Sequence, residues 1–509
     1  MELLSTKGLT KKFGALVAND DINIVLNSGE ILSLLGENGA GKTTLMNMLY
    51  GLYQPNAGEI FIKGKPVKIS SPTDARNRGI SMVHQHFMLV ENLSVSENVI
   101  LGKEPILNKV ILDLKKANED VIRLSKEFGF NIDPKKKISQ LSVGEKQHVE
   151  MIKALYNDVD ILILDEPTAV LTPQEVDSFF VVLKKLKAAG KGIILISHKL
   201  IETMDIADKI AVLRKGKKVA GLDKIDATIP KLSELMVGYP LKDNSIKRNE
   251  NFSEKILSLK KLVKGKEEKK EIDSISFDVH RHEIFGIAGV DGNGQSDLIE
   301  LIMGLSKQDD GSIEYLGKSL NDLTVKERLN EGIGYIPEDR NKRGFVNSFS
   351  ILENSLIGFQ KRSEYTKKNL LINWKNTKEK VNNYIEGYEI KCKGMKEKTS
   401  NLSGGNQQKI IVAKALGNNP TLVLAAQPTR GVDIGAVTYI HKKLVEARDE
   451  GKAILLISAD LDELMKLSDN IAVIYEGKIV SISKNGVYDK FQLGALMNGA
   501  NEEEVKNNE

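Results

Sequence analysis

The chain carries the same sequence pattern twice, and this duplication limits its possible folds more than any other feature. Gly36 lies in EILSLLGENGAGKTT, and Gly289 lies in EIFGIAGVDGNGQSD, 253 positions later. The same spacing joins Leu4 to Leu257 without a gap over some eighty residues. A repeat of about 250 residues has the size of a whole domain. We therefore expect two copies of one domain rather than the short units of a solenoid.

The spacing between the copies grows to 261 positions further along. LSVGEKQ begins at Leu141 and LSGGNQQ at Leu402, and Pro167 and Pro428 keep the same spacing. We expect the eight extra residues of the second copy in the polar stretch around RSEYTKKNLLINWKNTKEKVNN. The predicted organisation is a domain at 1–240, a linker at 241–255, a second domain at 256–500 and a polar tail at 501–509.

The composition of the 509 residues is that of an ordinary globular protein. The 73 basic and 69 acidic side chains are too evenly balanced to predict a nucleic-acid partner. The single cysteine, Cys392, excludes an internal disulfide and fits a reducing compartment. The apolar runs fall short of the roughly 20 residues of a membrane span, and the start lacks a signal-peptide core. We expect a cytoplasmic chain that reaches a membrane only through partners.

Short apolar runs such as ILSLL, DILILD and GIILIS alternate with helix-length amphipathic stretches in each copy. Buried strands that alternate with helices are typical of α/β domains with a mainly parallel sheet. GENGAGKT, from Gly36 to Thr43, follows such a strand and matches the P-loop pattern. In that loop backbone N–H groups converge on phosphate oxygens, Lys42 reaches the β- and γ-phosphates, and Thr43 binds Mg²⁺.

The stretch LILDEPT places Asp165 and Glu166 at the end of a second buried strand. Two adjacent carboxylates are costly there unless cations or hydrogen bonds compensate them. About 120 residues after a P-loop, this pair predicts that Asp165 supports Mg²⁺ and Glu166 polarises the attacking water.

The P-loop, LSVGE or LSGGN, ILDEPT and a histidine after LIS follow one another in an order that both copies share. Together these motifs resemble the ATPase subunits of ABC transporters over nearly the whole chain. The resemblance implies two tandem P-loop NTPase domains, each with a RecA-like core and a helical subdomain, that use ATP and Mg²⁺. It also implies that Phe13 stacks on adenine, Gln85 contacts Mg²⁺, and His198 contacts the γ-phosphate.

These matches give three sets of predicted site residues. The catalytic set is Lys42, Glu166 and His198. The Mg²⁺ set is Thr43, Gln85 and Asp165. The nucleotide-binding set is Phe13, Gly36, Glu37, Asn38, Gly39, Ala40, Gly41, Lys42, Thr43, Thr44, Gln85, Asp165, Ser403, Gly404, Gly405 and Asp433.

The second copy has lost the matching residues while keeping its LSGGN sequence and Asp433. The replacements are Lys266 for Phe13, Gln295 for Lys42, Glu338 for Gln85, Ala426 for Asp165, Gln427 for Glu166 and Ala459 for His198. The first copy departs from the family elsewhere, with Val143 at the first signature glycine and Thr172 at the D-loop aspartate.

In the family, two nucleotide domains pair head to tail, and each ATP lies between the P-loop of one and the signature of the other. That geometry predicts one complete site, in which Ser403, Gly404, Gly405 and Asp433 complete the first copy's P-loop. The other site combines Gly289, Gly294, Gln295, Ser296, Ala426, Gln427 and Ala459 with Ser142. We expect hydrolysis at the complete site alone, and weak or no nucleotide binding at the degenerate one.

The resemblance is strongest to importers in which one double-length ATPase serves two transmembrane permease subunits. MVHQHFMLVENLSVSENVILGKEP and LAAQPTRGVDIGA favour nucleoside importers, with an extracytoplasmic substrate-binding lipoprotein, over ribose or galactose importers. The expected location is the cytoplasmic face of the cell membrane. Soluble tandem ATPases that act on ribosomes remain a remote alternative. A purely structural clamp that ATP closes without hydrolysis would need Glu166 to be absent, and Glu166 is present. Phe87, Met88 and Leu89 are either permease-docking residues or ordinary core.

Overall fold

The computed structural model describes residues 1–14, 16–37, 39–84, 87–107, 111–130, 132–156, 159–168, 171–197, 199–238, 246, 248–249, 252–266, 269–290, 292–367 and 371–506. The chain divides into two compact units, Met1–Lys242 and Asp243–Glu509, called unit 1 and unit 2 below. Every helix in the described part of the chain is too short or too polar to cross a membrane.

Unit 1 combines a mainly parallel sheet, an antiparallel sheet and a group of helices. Its strands are β1 (Glu2–Phe13), β2 (Leu16–Ile22), β3 (Val25–Asn27), β4 (Ile31–Leu35), β5 (Ala57–Ile62), β6 (Lys65–Val67), β7 (Ile80–Val83), β8 (Ile106–Leu107), β9 (Ile111–Leu112), β10 (Ile161–Asp165), β11 (Gly192–Ile196), β12 (Lys209–Arg214) and β13 (Lys217–Asp223). Its helices are α1 (Lys42–Leu49), α2 (Pro72–Asn77), α3 (Val95–Ile100), α4 (Leu114–Phe128), α5 (Val143–Leu155), α6 (Pro173–Ala188), α7 (Leu200–Ile206) and α8 (Ile229–Val237).

The larger sheet of unit 1 has the strand order β13-β12-β4-β11-β10-β7, and only the pairing of β12 with β13 is antiparallel. Strands β4, β10 and β11 are buried along their whole length, as central parallel strands covered on both faces must be. Because parallel strands end at one edge, the segments after β4, β7, β10 and β11 share that edge. The antiparallel sheet β2-β1-β5-β6, with β3 beside β1, was not predicted.

Unit 2 repeats this architecture. Its strands are β14 (Lys255–Lys266), β15 (Lys269–His280), β16 (Ile284–Ala288), β17 (Asp310–Tyr315), β18 (Lys318–Ser319), β19 (Ile333–Ile336), β20 (Thr366–Lys367), β21 (Leu371–Ile372), β22 (Leu422–Ala426), β23 (Ala453–Ser458), β24 (Asn470–Tyr475) and β25 (Lys478–Lys484). Its helices are α9 (Gln295–Met303), α10 (Val325–Asn330), α11 (Ile351–Leu356), α12 (Trp374–Gly387), α13 (Gly404–Leu416), α14 (Ile434–Asp449), α15 (Leu461–Leu467), α16 (Lys490–Met497) and α17 (Glu502–Lys506). The sheet order β19-β22-β23-β16-β24-β25 is that of unit 1, so the predicted duplication and α/β class are confirmed.

The prediction that all eight extra residues lie around RSEYTKKNLLINWKNTKEKVNN is wrong. Asn98 accepts a hydrogen bond from the N–H of Val90, and Asn354 accepts the matching one from Val346, so the spacing has already grown to 256 there. Three extra residues therefore precede α11, in a single π-helical turn at Arg340–Gly344. The rest lie before the β20–β21 hairpin and after α12. Length changes fall in turns between elements because turns tolerate them best.

Arg328 is a buried cation that unit 1 lacks, since Ala75 occupies the matching position in α2. Its guanidinium donates to the carbonyls of Leu301 and Ile302, at the end of α9, at 2.7 and 2.9 Å. It also donates to the carbonyls of Leu323 and Leu320. A cation at a helix C-terminus satisfies carbonyls that the helix leaves free and interacts favourably with its dipole. Arg328 therefore fixes the end of α9 from inside unit 2.

Candidate functional site

The P-loop of unit 1 connects β4 to α1, as predicted. Gly41 stands immediately before α1 with φ at 100°, and a Cβ there would lie 2.4 Å from the carbonyl oxygen of Ala18. Only glycine fits that position. Gly36, Glu37, Gly39, Ala40, Thr43 and Thr44 belong to the same loop and first turn, while Asn38 lies outside the described residues.

Lys42 is the buried cation of this loop, with only 6% of its surface exposed. Its Nζ donates to the carbonyl oxygens of Gly36 at 2.5 Å and Glu37 at 3.0 Å. Burial lowers the pKa of Lys42, and the negative charges of Glu166, Asp165 and Glu37 counteract that effect. The ammonium is therefore held at the start of α1, where backbone N–H groups also attract an anion.

The two carboxylates at the end of β10 differ in their surroundings. Asp165 is only 5% exposed, and burial, followed by the charge of Glu166, raises its pKa to about 6 despite the opposing effect of Lys42. Glu166 is less buried, has φ at 49° and donates its N–H to the carbonyl of Ile196 at 3.0 Å. The predicted pair of acidic residues thus lies near Lys42, at the edge of the sheet where the P-loop begins.

The residues at this edge suit Mg²⁺ carried by a nucleotide. The described residues contain no group of three or more His, Cys, Asp or Glu side chains that would hold a metal by itself. Mg²⁺ instead prefers a few oxygen ligands from the protein together with water and substrate phosphates. The exposed hydroxyl of Thr43 and the carboxylate of Asp165 offer such ligands. Gln85, the third predicted ligand, lies outside the described residues, as does His198.

The predicted adenine-stacking residue is accessible. Phe13 ends β1 with 43% of its surface exposed, and its ring meets Tyr53 edge to face at 5.4 Å. The ammonium of Lys11 lies 5.2 Å from the Phe13 ring. Sequence analysis missed Tyr53, although Ser306 at the matching position of the second copy signalled a change there.

The hydrophobic stretch proposed for docking is only partly exposed. Met88 is 59% exposed, and its N–H donates to the Glu150 carboxylate at 2.5 Å. Leu89 packs against the hydrophobic core of unit 1. Met88 therefore remains the candidate of this stretch for contact with a partner.

Unit 2 keeps the P-loop backbone but not its cation. Gly294 precedes α9 with φ at 104°, and a Cβ there would lie 2.7 Å from the Glu271 carbonyl oxygen. Gln295 is 8% exposed, and its Nε2 donates to the carbonyl of Val290, the counterpart of Glu37, at 3.0 Å. A neutral amide thus replaces the ammonium and makes one of the same two hydrogen bonds. Gly289 remains at the start of the loop.

Internal ion pairs surround this second loop. Ser296 donates to Glu338 at 2.9 Å, and the other oxygen of Glu338 accepts from Arg430 at 2.5 Å. Asp297, the counterpart of Thr44, pairs with Lys264 at 2.5 Å. The counterparts of Thr43 and Gln85 therefore bind each other in unit 2, and Ala426 leaves the Asp165 carboxylate without a counterpart.

The remaining replacements in unit 2 supply no substitute chemistry. Gln427 has φ at 47° and donates its N–H to Ile457 at 2.7 Å, which repeats the geometry of Glu166. Ala426 is buried at the end of β22, and Ala459 and Lys266 are exposed. These side chains offer neither a general base nor an adenine-stacking ring.

The signature sequence of unit 2 stands at the start of α13. Ser403 precedes the helix, and its Oγ accepts a hydrogen bond from Asn406 at 2.9 Å. Asp433 accepts from the N–H of Ala436 at 2.7 Å, and a Cβ on Gly405 would lie 2.7 Å from its carboxylate. The first turn of α13 thus carries amides and a hydroxyl, with Asp433 beside it.

Two carboxylates of unit 1, those of Glu145 and Glu175, contact the signature sequence of the same unit. Glu145, the counterpart of Asn406, accepts from the N–H of Ser142 at 2.7 Å, and Lys136 pairs with its other oxygen. A Cβ on Gly144 would lie 2.1 Å from the Glu175 carboxylate. Glu175 in turn accepts from the N–H of Thr172 at 2.8 Å. Gly144 and Gly405 thus both lie against a carboxylate, and the signatures differ in charge at Glu145, where unit 2 has the neutral Asn406. A phosphate would therefore meet one more negative charge at the start of α5 than at the start of α13. Sequence analysis missed this difference.

Comparison with known proteins agrees with the motifs. The family model for the ABC transporter matches residues 19–169 and 272–430. Nucleoside import ATP-binding protein NupA of Lactococcus lactis is 44% identical over 494 residues, which cover 97% of each chain. Guanosine import ATP-binding protein NupO of Bacillus subtilis is 46% identical over 498 residues, 98% of this chain and 97% of the relative. Ribose import ATP-binding protein RbsA of Caldanaerobacter subterraneus is 38% identical over 479 residues, 94% of this chain and 95% of the relative.

Proposed function

Because this chain belongs to the ABC transporter family, as an ATPase of an import system, we propose that it energises nucleoside import by hydrolysing ATP at one site. The observation that carries this proposal is the contrast between the two P-loops. In unit 1 a buried ammonium lies near two carboxylates, whereas in unit 2 an amide and internal ion pairs take their places.

Each residue of the unit 1 site has a distinct part in the proposed reaction. Lys42 and the amides at the start of α1 bind the β- and γ-phosphates, and Phe13 stacks on adenine. Glu166 accepts a proton from the attacking water, and His198 contacts the γ-phosphate. When bound with the nucleotide, Mg²⁺ neutralises charge on the phosphates. Thr43, Gln85 and Asp165 would hold it there.

The finer proposal is that unit 2 completes this site with Ser403, Gly404, Gly405 and Asp433. The charges near the two signature sequences support it. A carboxylate lies beside each signature, Asp433 in unit 2 and Glu175 in unit 1. Unit 1 adds a second carboxylate, Glu145, where unit 2 has the neutral Asn406. This additional negative charge makes the signature of unit 1 less favourable for an anionic γ-phosphate than that of unit 2. A site built from unit 2's P-loop and Ser142 would lack both the cation and a receptive signature.

The names of the relatives support nucleosides as the transported class, with ribose-type sugars as the second candidate. By analogy with import systems, two transmembrane permease subunits and a substrate-binding lipoprotein would be its partners, at the cytoplasmic face of the membrane. No observation on the described residues favours the ribosome-associated alternative.

Uptake of labelled guanosine and ribose by cells that lack the gene tests the proposal. We expect guanosine uptake to be lost, restored by the wild-type chain and not restored by Glu166→Gln. Loss of ribose uptake alone would assign the chain to sugars. Normal uptake of both solutes would contradict an import role for either class.

A further inference from the structure

The π-helical turn at Arg340–Gly344 belongs to unit 2 alone, because it contains three residues without counterparts in unit 1. Its first residue, Arg340, is half-buried and reaches the segment after β22. Its Nη1 donates to the carbonyl of Arg430 at 3.1 Å, and its Nη2 donates to that of Gly431 at 3.4 Å. A planar guanidinium suits this task because it can bind two acceptors at once in a fixed geometry.

The same guanidinium also lies against the signature sequence. A Cβ on Gly404 would stand 3.0 Å from Nη2 of Arg340 and 3.4 Å from the carbonyl oxygen of Gly431. Arg340 is therefore wedged between the first turn of α13 and the segment that leads to Asp433. Its Nε is buried and has no hydrogen-bond partner among the residues that the structure describes. A side chain at position 404 would require the Arg340 guanidinium to move by a few tenths of an ångström.

Both ends of this contact are anchored. Asp339 accepts from the N–H groups of Asn341 and Lys342 at 2.9 and 3.1 Å, which fixes the π-helical turn. Glu338 holds the side chain of Arg430 and binds Ser296 in the vestigial P-loop. A series of polar contacts thus runs within unit 2 from Ser296 to the carbonyl of Gly431, which lies beside Gly404.

We infer that Arg340 is a positioning residue of the ATPase reaction, which holds the signature turn with Ser403 in the geometry that the γ-phosphate requires. This inference rests on the proposed function, in which Ser403 completes the site of unit 1. In unit 1 Thr43 and Gln85 would hold the Mg²⁺ that is bound with the nucleotide, so their connection would last only while the nucleotide is bound. In unit 2 the Glu338–Arg430 pair is part of the protein, so the signature turn stays assembled between turnovers.

The test compares Arg340→Met and Arg340→Lys with the control Lys342→Met and the benchmark Ser403→Arg, all in the full chain. Lys342 belongs to the same turn, but its side chain is largely exposed. We expect Arg340→Met to lower kcat about 10- to 100-fold, because misplacing a catalytic group by about 1 Å can cost 100-fold. The kcat of Arg340→Lys should lie between those of Arg340→Met and the wild type, because an ammonium keeps the charge but lacks the fixed planar geometry of the guanidinium. Lys342→Met should match the wild type.

Two further measurements separate positioning from general damage. The Kd of a fluorescent ADP analogue at unit 1 should stay within twofold of wild type in Arg340→Met, and Tm within about 2 °C. Loss of nucleotide binding or a larger fall in Tm would overturn the positioning role. A kcat above half of wild type in Arg340→Met, together with a fall of about 100-fold in Ser403→Arg, would overturn the role of Arg340 but would still support the shared site. Normal turnover in Ser403→Arg would overturn both.

Discussion

The starts of α1 and α9 have the same backbone conformation but side chains of different chemistry. Gly41 and Gly294 have φ near 100°, and a Cβ on either would clash with the corresponding strand of its own unit, β2 or β15. Lys42 lies near two carboxylates, whereas Gln295 donates to the carbonyl of Val290 in its own loop. Losing a charge-assisted phosphate contact costs about 1.5–3 kcal/mol, and losing the general base costs about 10²–10⁴ in rate. The fold needs the turn, and only the reaction needs the side chains.

The same comparison explains the unusual backbone of Glu166. Left-handed φ values in a non-glycine residue cost about 1–3 kcal/mol and often mark functional sites. Gln427 has nearly the same φ, 47° against 49°, although its side chain is an amide in place of the carboxylate. The conformation at Glu166 therefore belongs to the fold, in which its N–H must reach β11, and is not strain stored for hydrolysis.

The largest expected effect is that of Glu166→Gln. We expect phosphate release to fall by about 10²–10⁴-fold while ATP still binds, because an amide cannot accept the proton of the attacking water. The matched control is Gln427→Glu, which changes the counterpart in unit 2 and should leave the rate within twofold of wild type. Activity of Glu166→Gln above about a tenth of wild type would point to another base.

Ser403→Arg and Ser142→Arg test whether the two signatures differ as their charges suggest. We expect Ser403→Arg to lower kcat about 100-fold, the size of effect seen when a transition-state donor is lost. Ser142→Arg should keep at least half of the wild-type rate, since the site it would complete is degenerate. Steady-state ATPase assays measure both. Equal damage from the two variants would remove the proposed asymmetry.

Phe13→Ala should have a smaller effect, confined to binding. Aromatic stacking contributes about 0.5–1.5 kcal/mol beyond area burial, so the Kd of ATP should rise about 2- to 12-fold. Lys266→Ala, at the matching position of unit 2, should leave it unchanged. Titration with a fluorescent ATP analogue gives both values. An unchanged Kd in Phe13→Ala would show that Phe13 does not contact the base.

The smallest expected effect is that of Gln295→Lys, which should restore no hydrolysis at unit 2. Ala426 and Gln427 still lack the carboxylates, and Ser296 still donates to Glu338. In the Glu166→Gln background the rate should therefore stay at its residual level. A recovery of turnover would show that unit 2 lost only its lysine.

The sequence was sufficient to predict the features that local motifs encode. The P-loop between β4 and α1 and the acidic end of β10 lie where the patterns placed them, and the two units share one strand order. The antiparallel sheets were not predicted, because pairings such as β1 with β5 join segments that are distant along the chain.

The contacts around the signatures could not be predicted for the same reason. Arg340 binds a carbonyl 90 positions away, and the Glu175 carboxylate reaches Gly144 from another helix. The capping role of Glu145 could have been predicted from the sequence, because a serine followed three residues later by glutamate is a capping-box pattern. Sequence analysis compared LSVGE with LSGGN only at the glycine, and so overlooked the charge at the last position.

Arg328 gives unit 2 a source of stability that unit 1 lacks. A nucleotide at a hundredfold excess over its Kd stabilises the unit that binds it by about 2.7 kcal/mol. Unit 1 gains that protection only while the cell has ATP. Unit 2 has a permanent substitute, since Arg328 supplies charged hydrogen bonds, each of about 1.5–3 kcal/mol, to the end of α9 and nearby carbonyls. In cells depleted of ATP, unit 1 would therefore unfold more often and be cleaved by proteases before unit 2.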